Sequence, residues 1–274
     1  MFNPISGYIY FVPYNTNVVT RVTPGLNPIV STFLMPSFYF NGYIGAVLDG
    51  NNEIHFIPYG APVGAKIATA NSVLTYTLPN YYNTFNYRGG VLDSENNICF
   101  IPSSIDNNGN ASLIKLRDGV FSNIQLNGLP NGANMYFGGV LDIYGNIHFV
   151  PDNASVGCKV SVNGVGTTYS LPANPTNANL VSNNFAGGVL GPDGYIHFIP
   201  KSARWGMKVS PDGLVTTYPL SLKNLANNFI GGCLDADGII HFAQHDGDCG
   251  VFIDTTSVEV FQMGTAISPY LKGL

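Results

Sequence analysis

Apolar residues fall in short runs rather than at helical spacing. A glycine pair, Val-Leu-Asp, a polar gap and Ile-His-Phe-Ile-Pro come back along the whole chain. The copies occupy 45–49 with 53–58, 89–93 with 97–102, 138–142 with 146–151, 187–191 with 195–200, and 231–235 with 239–243. A sixth copy, 7–13, lacks the first part. The shared Phe stands at 11, 56, 100, 149, 198 and 242, at intervals of 45, 44, 49, 49 and 44 residues. Self-similarity at such a period is the signature of a repeat architecture.

Each copy continues with a loop, a third run such as 206–210, a Pro-Asp-Gly turn, and a fourth run such as Val215-Thr216-Thr217-Tyr218. Four β-rich runs between Gly, Pro, Asn and Asp turns predict a four-stranded antiparallel meander, with strands A to D. In the A–B turn, Leu-Asp-x-x-Gly, the Asp side chain caps the turn and Gly supplies positive φ. One such sheet cannot bury both faces. Stacking the copies around an axis can, and this predicts an all-β, six-bladed β-propeller. The blades run approximately over 7–40 plus 268–274, 41–85, 86–133, 134–182, 183–226 and 227–267, in one domain. Blade 1 lacks a strand A in this reading. The C-terminal stretch Pro269-Tyr270-Leu271-Lys272-Gly273-Leu274 echoes the start of strand A at 135–140. It is expected to complete blade 1 and close the ring, so that no sheet edge stays free. No helix of ten residues or more is expected.

Composition narrows the function classes. Only 10% of residues are charged, 11 Lys+Arg against 16 Asp+Glu, while 45% are hydrophobic and 31 are Asn. Disorder is excluded by the apolar content. Nucleic-acid binding through phosphates is excluded by the scarcity of cations. The N-terminal residues show no basic and apolar leader pattern, and no apolar run is long enough to span a membrane, so no membrane insertion is expected. The four cysteines, 99, 158, 233 and 249, form no CxxC pair and read as single buried thiols rather than a zinc or redox motif. No cofactor and no metal are expected.

The repeat Gly-Gly-Val-Leu-x-x-Asp-Gly-x-Ile-His-Phe resembles the NHL-type propeller repeat. Blade 5, with 191–198 and 209–220, looks more like blades of the streptogramin (virginiamycin B) lyase family. That resemblance implies a propeller fold. It also implies a magnesium-dependent elimination with an acid/base His and acidic ligands on one mouth of the propeller.

Four of the five histidines, His55, His148, His197 and His241, share one repeat position, filled by Tyr10 and Cys99 in blades 1 and 3. A blade separates each from the next, too far for one ion, so buried hydrogen bonds to neighbouring backbone are expected. Arg21, Lys66, Lys115, Lys159 and Lys208 recur on strand C and are expected to be solvated or ion-paired. The fifth histidine stands in Gln244-His245-Asp246-Gly247-Asp248, in the B–C loop of blade 6. An imidazole beside two carboxylates makes His245, Asp246 and Asp248 the candidates for metal binding or general-base work if the chain is an enzyme. The D–A and B–C loops share one face. They carry Tyr59, Asn80, Tyr81, Tyr82, Asn83, Phe85, Asn86, Lys201, Arg204 and the single Trp205. Aromatic rings beside amides suit sugar stacking or protein contact. The binding candidates are therefore Tyr59, Tyr81, Tyr82, Phe85, Arg204 and Trp205.

The expected function is a non-enzymatic interaction module. The best fit is an accessory phage or virus virion protein, capsid-decorating or fibre-associated, made in the cytoplasm and binding a protein or a glycan. A lectin and a metal-dependent lyase-like or hydrolase-like enzyme are the alternatives.

Overall fold

A computed structural model describes residues 1–68, 72–79, 86–172, 184–203, 205–220, 228–246, 250–255 and 259–263. These residues form six four-stranded antiparallel sheets, the blades of a six-bladed all-β propeller, and contain no helix. The chain comprises two compact units, residues 1–138 with 164–166 and residues 139–163 with 167–274.

Unit 1 holds three sheets. The first joins β1 (Phe2–Asn3), β2 (Tyr8–Phe11), β3 (Val18–Val22) and β4 (Val30–Leu34). The second joins β5 (Tyr43–Leu48), β6 (Ile54–Pro58), β7 (Val63–Ile67) and β8 (Val73–Thr77). The third joins β9 (Tyr87–Leu92), β10 (Ile98–Pro102), β11 (Ala111–Arg117) and β12 (Val120–Leu126). The fourth sheet consists of β13 (Tyr136–Leu141), β14 (Ile147–Pro151), β15 (Val156–Val160) and β16 (Gly166–Ser170). Unit 2 holds the fifth, β17 (Phe185–Leu190), β18 (Ile196–Pro200), β19 (Trp205–Val209) and β20 (Val215–Pro219). It also holds the sixth, β21 (Phe229–Leu234), β22 (Ile239–Gln244), β23 (Gly250–Asp254) and β24 (Glu259–Met263).

The register explains the repeat. Val47 pairs with His55 and Leu48 with Ile54, and the same rungs recur as Val189 with His197 and Cys233 with His241. Strand B is buried on both faces in blades 2 to 5, which is why it reads as an unbroken apolar run. Within unit 1, Ile57 of blade 2 joins Tyr87, Phe100 and Ile114 of blade 3 in one core cluster. Within unit 2, Ile199 of blade 5 packs with Phe229, Ile240 and Val251 of blade 6. Within each unit these neighbouring blades thus bury surface against one another.

The glycine pair of strand A has a steric cause. A Cβ on Gly45 would lie 2.9 Å from the Cα of Gly89, and one on Gly89 would lie 2.9 Å from the Cα of Gly138. Neighbouring A strands therefore approach backbone to backbone, and their first glycines hold positive φ at a bulge in the register. The A–B turn is capped by Asp as expected, while its positive φ is held by Gly145, Gly194 and Gly238 in blades 4 to 6 and by Asn52 and Asn96 in blades 2 and 3. Asp49 Oδ1 accepts from the amides of Asn51 and Glu53, and Asp93, Asp142 and Asp235 repeat this geometry.

Blade 1 differs from its reading as a blade with no N-terminal strand A. Its N-terminal residues do form a strand, β1, paired as Phe2 with Ile9 and Asn3 with Tyr8. Asn3 takes the turn-capping role of Asp, accepting from the amides of Ile5 and Ser6. A two-residue strand covers only the first rungs. Phe11 is 53% exposed, whereas its sisters Phe56, Phe100, Phe149 and Phe198 are fully buried and Phe242 is 6% exposed. The expected closing segment 269–274 lies outside the described residues.

Candidate functional site

The repeated histidines sit on strand B, pointing between the A–B turn and strand D. His148 Nε2 lies 3.3 Å from Asp142 Oδ2, and its Nδ1 lies 3.5 Å from the Tyr169 hydroxyl. His197 repeats this with Asp193 at 3.2 Å and Tyr218 at 3.3 Å. His241 meets Asp235 at 2.7 Å. In blade 2, His55 Nδ1 meets the Tyr76 hydroxyl at 3.2 Å, while Nε2 stands 3.4 Å from Asp49 Oδ2 without a hydrogen-bond partner. Side chains are thus the main partners, a turn Asp on one side and, in blades 2, 4 and 5, a strand-D Tyr on the other, while the expected backbone contact is present at His148, with Pro211. The Asp is available because capping uses only one of its oxygens.

The Tyr ring reaches the imidazole across a glycine of strand C. Gly64, Gly157 and Gly206 lie beneath the rings of Tyr76, Tyr169 and Tyr218. Where Cys99 replaces the histidine, the corresponding rung holds Leu113 opposite Ile124. In blades 2, 4 and 5 His, Gly and Tyr therefore form one packing unit, whereas blade 6 keeps His241 and Gly250 but pairs the glycine with Met263. Burial pushes the His148 and His197 pKa down, against the raising effect of their Asp neighbours. These imidazoles are therefore neutral hydrogen-bonding groups.

The recurrent strand-C cations are consumed nearby. Lys115 Nζ meets Asp93 Oδ2 at 2.8 Å, Lys208 meets Asp193 at 2.9 Å, and Lys66 meets Glu53 at 2.5 Å. Lys159 donates instead to the Pro211 carbonyl at 2.9 Å, and Arg21 Nε donates to Ser31 Oγ. Burial raises the Asp93 pKa, but hydrogen bonds from Lys115 and Asn97 outweigh it and hold the carboxyl below its ordinary value.

The loop candidates divide. Tyr59 is buried, and its hydroxyl donates to Asn134 Oδ1 at 2.8 Å. Trp205 is buried at the start of β19, with its ring edge-on to Phe185 at 5.4 Å. Lys201 is buried 4.0 Å from Asp152. His245 and Asp246 are exposed and 3.0 Å apart. Asn80, Tyr81, Tyr82, Asn83, Phe85, Arg204 and Asp248 lie outside the described residues.

Sequence reasoning passed over Arg88. Its guanidinium lies 3.8 Å from the Phe137 ring centroid and 5.4 Å from that of Tyr59, and the residue is buried. Tyr59 and Asn134, from the blade 2 B–C loop and the loop before β13, meet beside it. The signal was available. The position after the first aromatic of strand A is Ile44, Phe137, Ala186 or Ile230 elsewhere, and only here is it charged. A cation held between two rings is an adhesive element. Two residues before Arg88, the Asn86 carbonyl accepts from the Ser103 amide at 2.7 Å.

No protein-family model and no curated protein matches the chain. Solved structures do. A catalytically inactive virginiamycin B lyase from Staphylococcus aureus with quinupristin superposes with a TM-score of 0.75 at 14% identity, over 95% of this chain and 85% of that one. The extracellular domain described for a one-component system of B. thetaiotaomicron gives 0.69 at 14% identity, over 97% of this chain and 36% of the other. A protein of unknown function from Bacteroides caccae gives 0.62 at 9% identity, over 93% of both chains. At these identities the likeness establishes the propeller fold. The resemblance to lyase blades read from the sequence is therefore a resemblance of architecture.

Proposed function

We propose that the chain is a non-enzymatic interaction module, an accessory protein of a phage or virus particle that contacts a protein or a glycan. The observation that carries this reading is an exposed apolar surface on and beside blade 1. Leu26, Ile29, Val30, Leu34, Phe38 and Phe40 are all exposed, and no charged residue occurs between Arg21 and Asp49. Exposed apolar residues crowded into one short stretch of chain favour a contact site. The ionisable groups of blades 3 to 5 support the reading from the other side, since Lys115, Lys208, His148 and His197 are paired with Asp93, Asp193 and Asp142. Co-sedimentation of the purified chain with virus particles tests it. Wild type is expected to sediment with particles and a Leu34→Lys/Phe40→Ser variant to stay in solution. Absence of sedimentation together with a blank glycan array would refute it. In the same reading, segment 269–274 supplies the rungs opposite Phe11 that β1 leaves open.

A lyase-like enzyme is the second reading, favoured by the superposition on virginiamycin B lyase. It requires turnover that is lost on replacing His245.

A further inference from the structure

Blade 2 contains a group that its sisters lack. Its A–B turn carries Glu53 just before strand B, where the other complete blades have Asn97, Asn146, Tyr195 and Ile239. Glu53, Asp49 and His55 each offer one ligand atom, and these atoms lie within 4.8 Å of one another. His55 is 4% exposed, and its Nε2 faces the two carboxylates with no hydrogen-bond partner. Its other nitrogen is engaged by the Tyr76 hydroxyl at 3.2 Å. A ligating histidine is usually oriented in this way, with one nitrogen held by a second group and the other turned to the metal.

The spacing has a chemical meaning. Zinc binds imidazole nitrogen and carboxylate oxygen at about 2.0–2.2 Å, so tetrahedral ligand atoms stand about 3.3 Å apart. The His55 Nε2 to Asp49 Oδ2 distance is 3.4 Å. A nitrogen and two carboxylate oxygens leave a fourth position open to water. The ammonium of Lys66 now balances part of the negative charge through Glu53 at 2.5 Å. Its side chain is 27% exposed and can turn to solvent.

We propose that Asp49, Glu53 and His55 form a binding site for a divalent transition-metal cation of the zinc class, which the cation enters by displacing Lys66 from Glu53. The site lies at the A–B turn of blade 2, apart from the B–C loop that carries His245, and does not depend on the chain being an interaction module.

The sister blades supply the control. Glu53→Asn installs the blade 4 residue and removes one ligand while keeping a turn that the fold already tolerates. Lys66→Met removes the competing charge. The full chain, in a Cys233→Ser/Cys249→Ser background that takes those thiols out of play, is dialysed against micromolar zinc chloride. Zinc per chain is then read by mass spectrometry and affinity by calorimetry. One zinc per chain is expected, with affinity weakened at least about tenfold by Glu53→Asn and strengthened by Lys66→Met. Circular dichroism without metal confirms that both variants are folded. If the background protein retains no zinc, or if Glu53→Asn binds it as tightly, the proposal fails.

Discussion

Replacing Gly206 by alanine tests whether the His–Gly–Tyr rung is a packing unit. The new Cβ would stand 2.5 Å from Tyr218 Cδ2 and nearer still to Cε2 and Cζ. Tyr218 is 9% exposed and paired with strand C, so its ring cannot swing into water without losing its core contacts. Moving it also breaks the 3.3 Å contact with His197 Nδ1, leaving a buried imidazole nitrogen unpaired. Overpacking costs about 1–3 kcal/mol, and an unsatisfied buried polar group about 1–3 kcal/mol. Gly206→Ala is therefore expected to destabilise by about 2–6 kcal/mol in urea unfolding followed by tryptophan fluorescence. A double-mutant cycle isolates the cause. With Tyr218→Ala present, the ring is gone and Gly206→Ala should cost under about 1 kcal/mol. An equal cost in both backgrounds would show that the glycine is needed for its backbone, and the reasoning would be wrong.

Acidification should weaken the fold. His148 faces Asp142, Lys159 and Tyr169, His197 faces Asp193, Lys208 and Tyr218, and burial lowers both pKa values. The unfolded chain then takes up protons first, so their contribution is intact above about pH 6.5 and is lost as pH falls through the folded values. Asp93 and Asp193, also lowered, add a second loss below the ordinary carboxylate range. Urea midpoints that rise from pH 7.5 to pH 5 would contradict this. Phe100→Ala removes a fully buried ring and should cost about 3–5 kcal/mol by the same assay, whereas Phe11→Ala, at a half-exposed site, should cost under half of that. His245→Ala should change stability by less than about 0.5 kcal/mol, since the side chain is half exposed. Deleting 269–274 should lower the melting temperature sharply, and an unchanged value in scanning calorimetry would remove that segment from blade 1.

The strands and turns were legible because they obey local rules that recur from blade to blade. The Phe of strand B marks the rung, and the Asp of Leu-Asp-x-x-Gly marks the turn. What the sequence hid lies across strands. The partner of each buried histidine is 21 residues downstream, and only the coincidence of His55 with Tyr76, His148 with Tyr169 and His197 with Tyr218 announces it. Trp205 looked like a surface ring because it is unique and follows a loop. Its place as the first residue of β19 turns it inward, against Phe185. Arg88 was missed for the opposite reason, since a charge in an otherwise apolar strand-A position reads as noise until Phe137 and Tyr59 are seen on either side of it.

The polar network of each blade also bears on how such a chain can change over generations. Asp142, His148 and Tyr169 satisfy one another within 28 residues of sequence, as Asp193, His197 and Tyr218 do within 26. A copied stretch of gene about one blade long therefore arrives with its buried donors and acceptors already matched. Lys159, which reaches into the next blade for the Pro211 carbonyl, is an exception. Duplication, loss or exchange of whole blades leaves few orphaned groups behind, and selection is free to act on the loops.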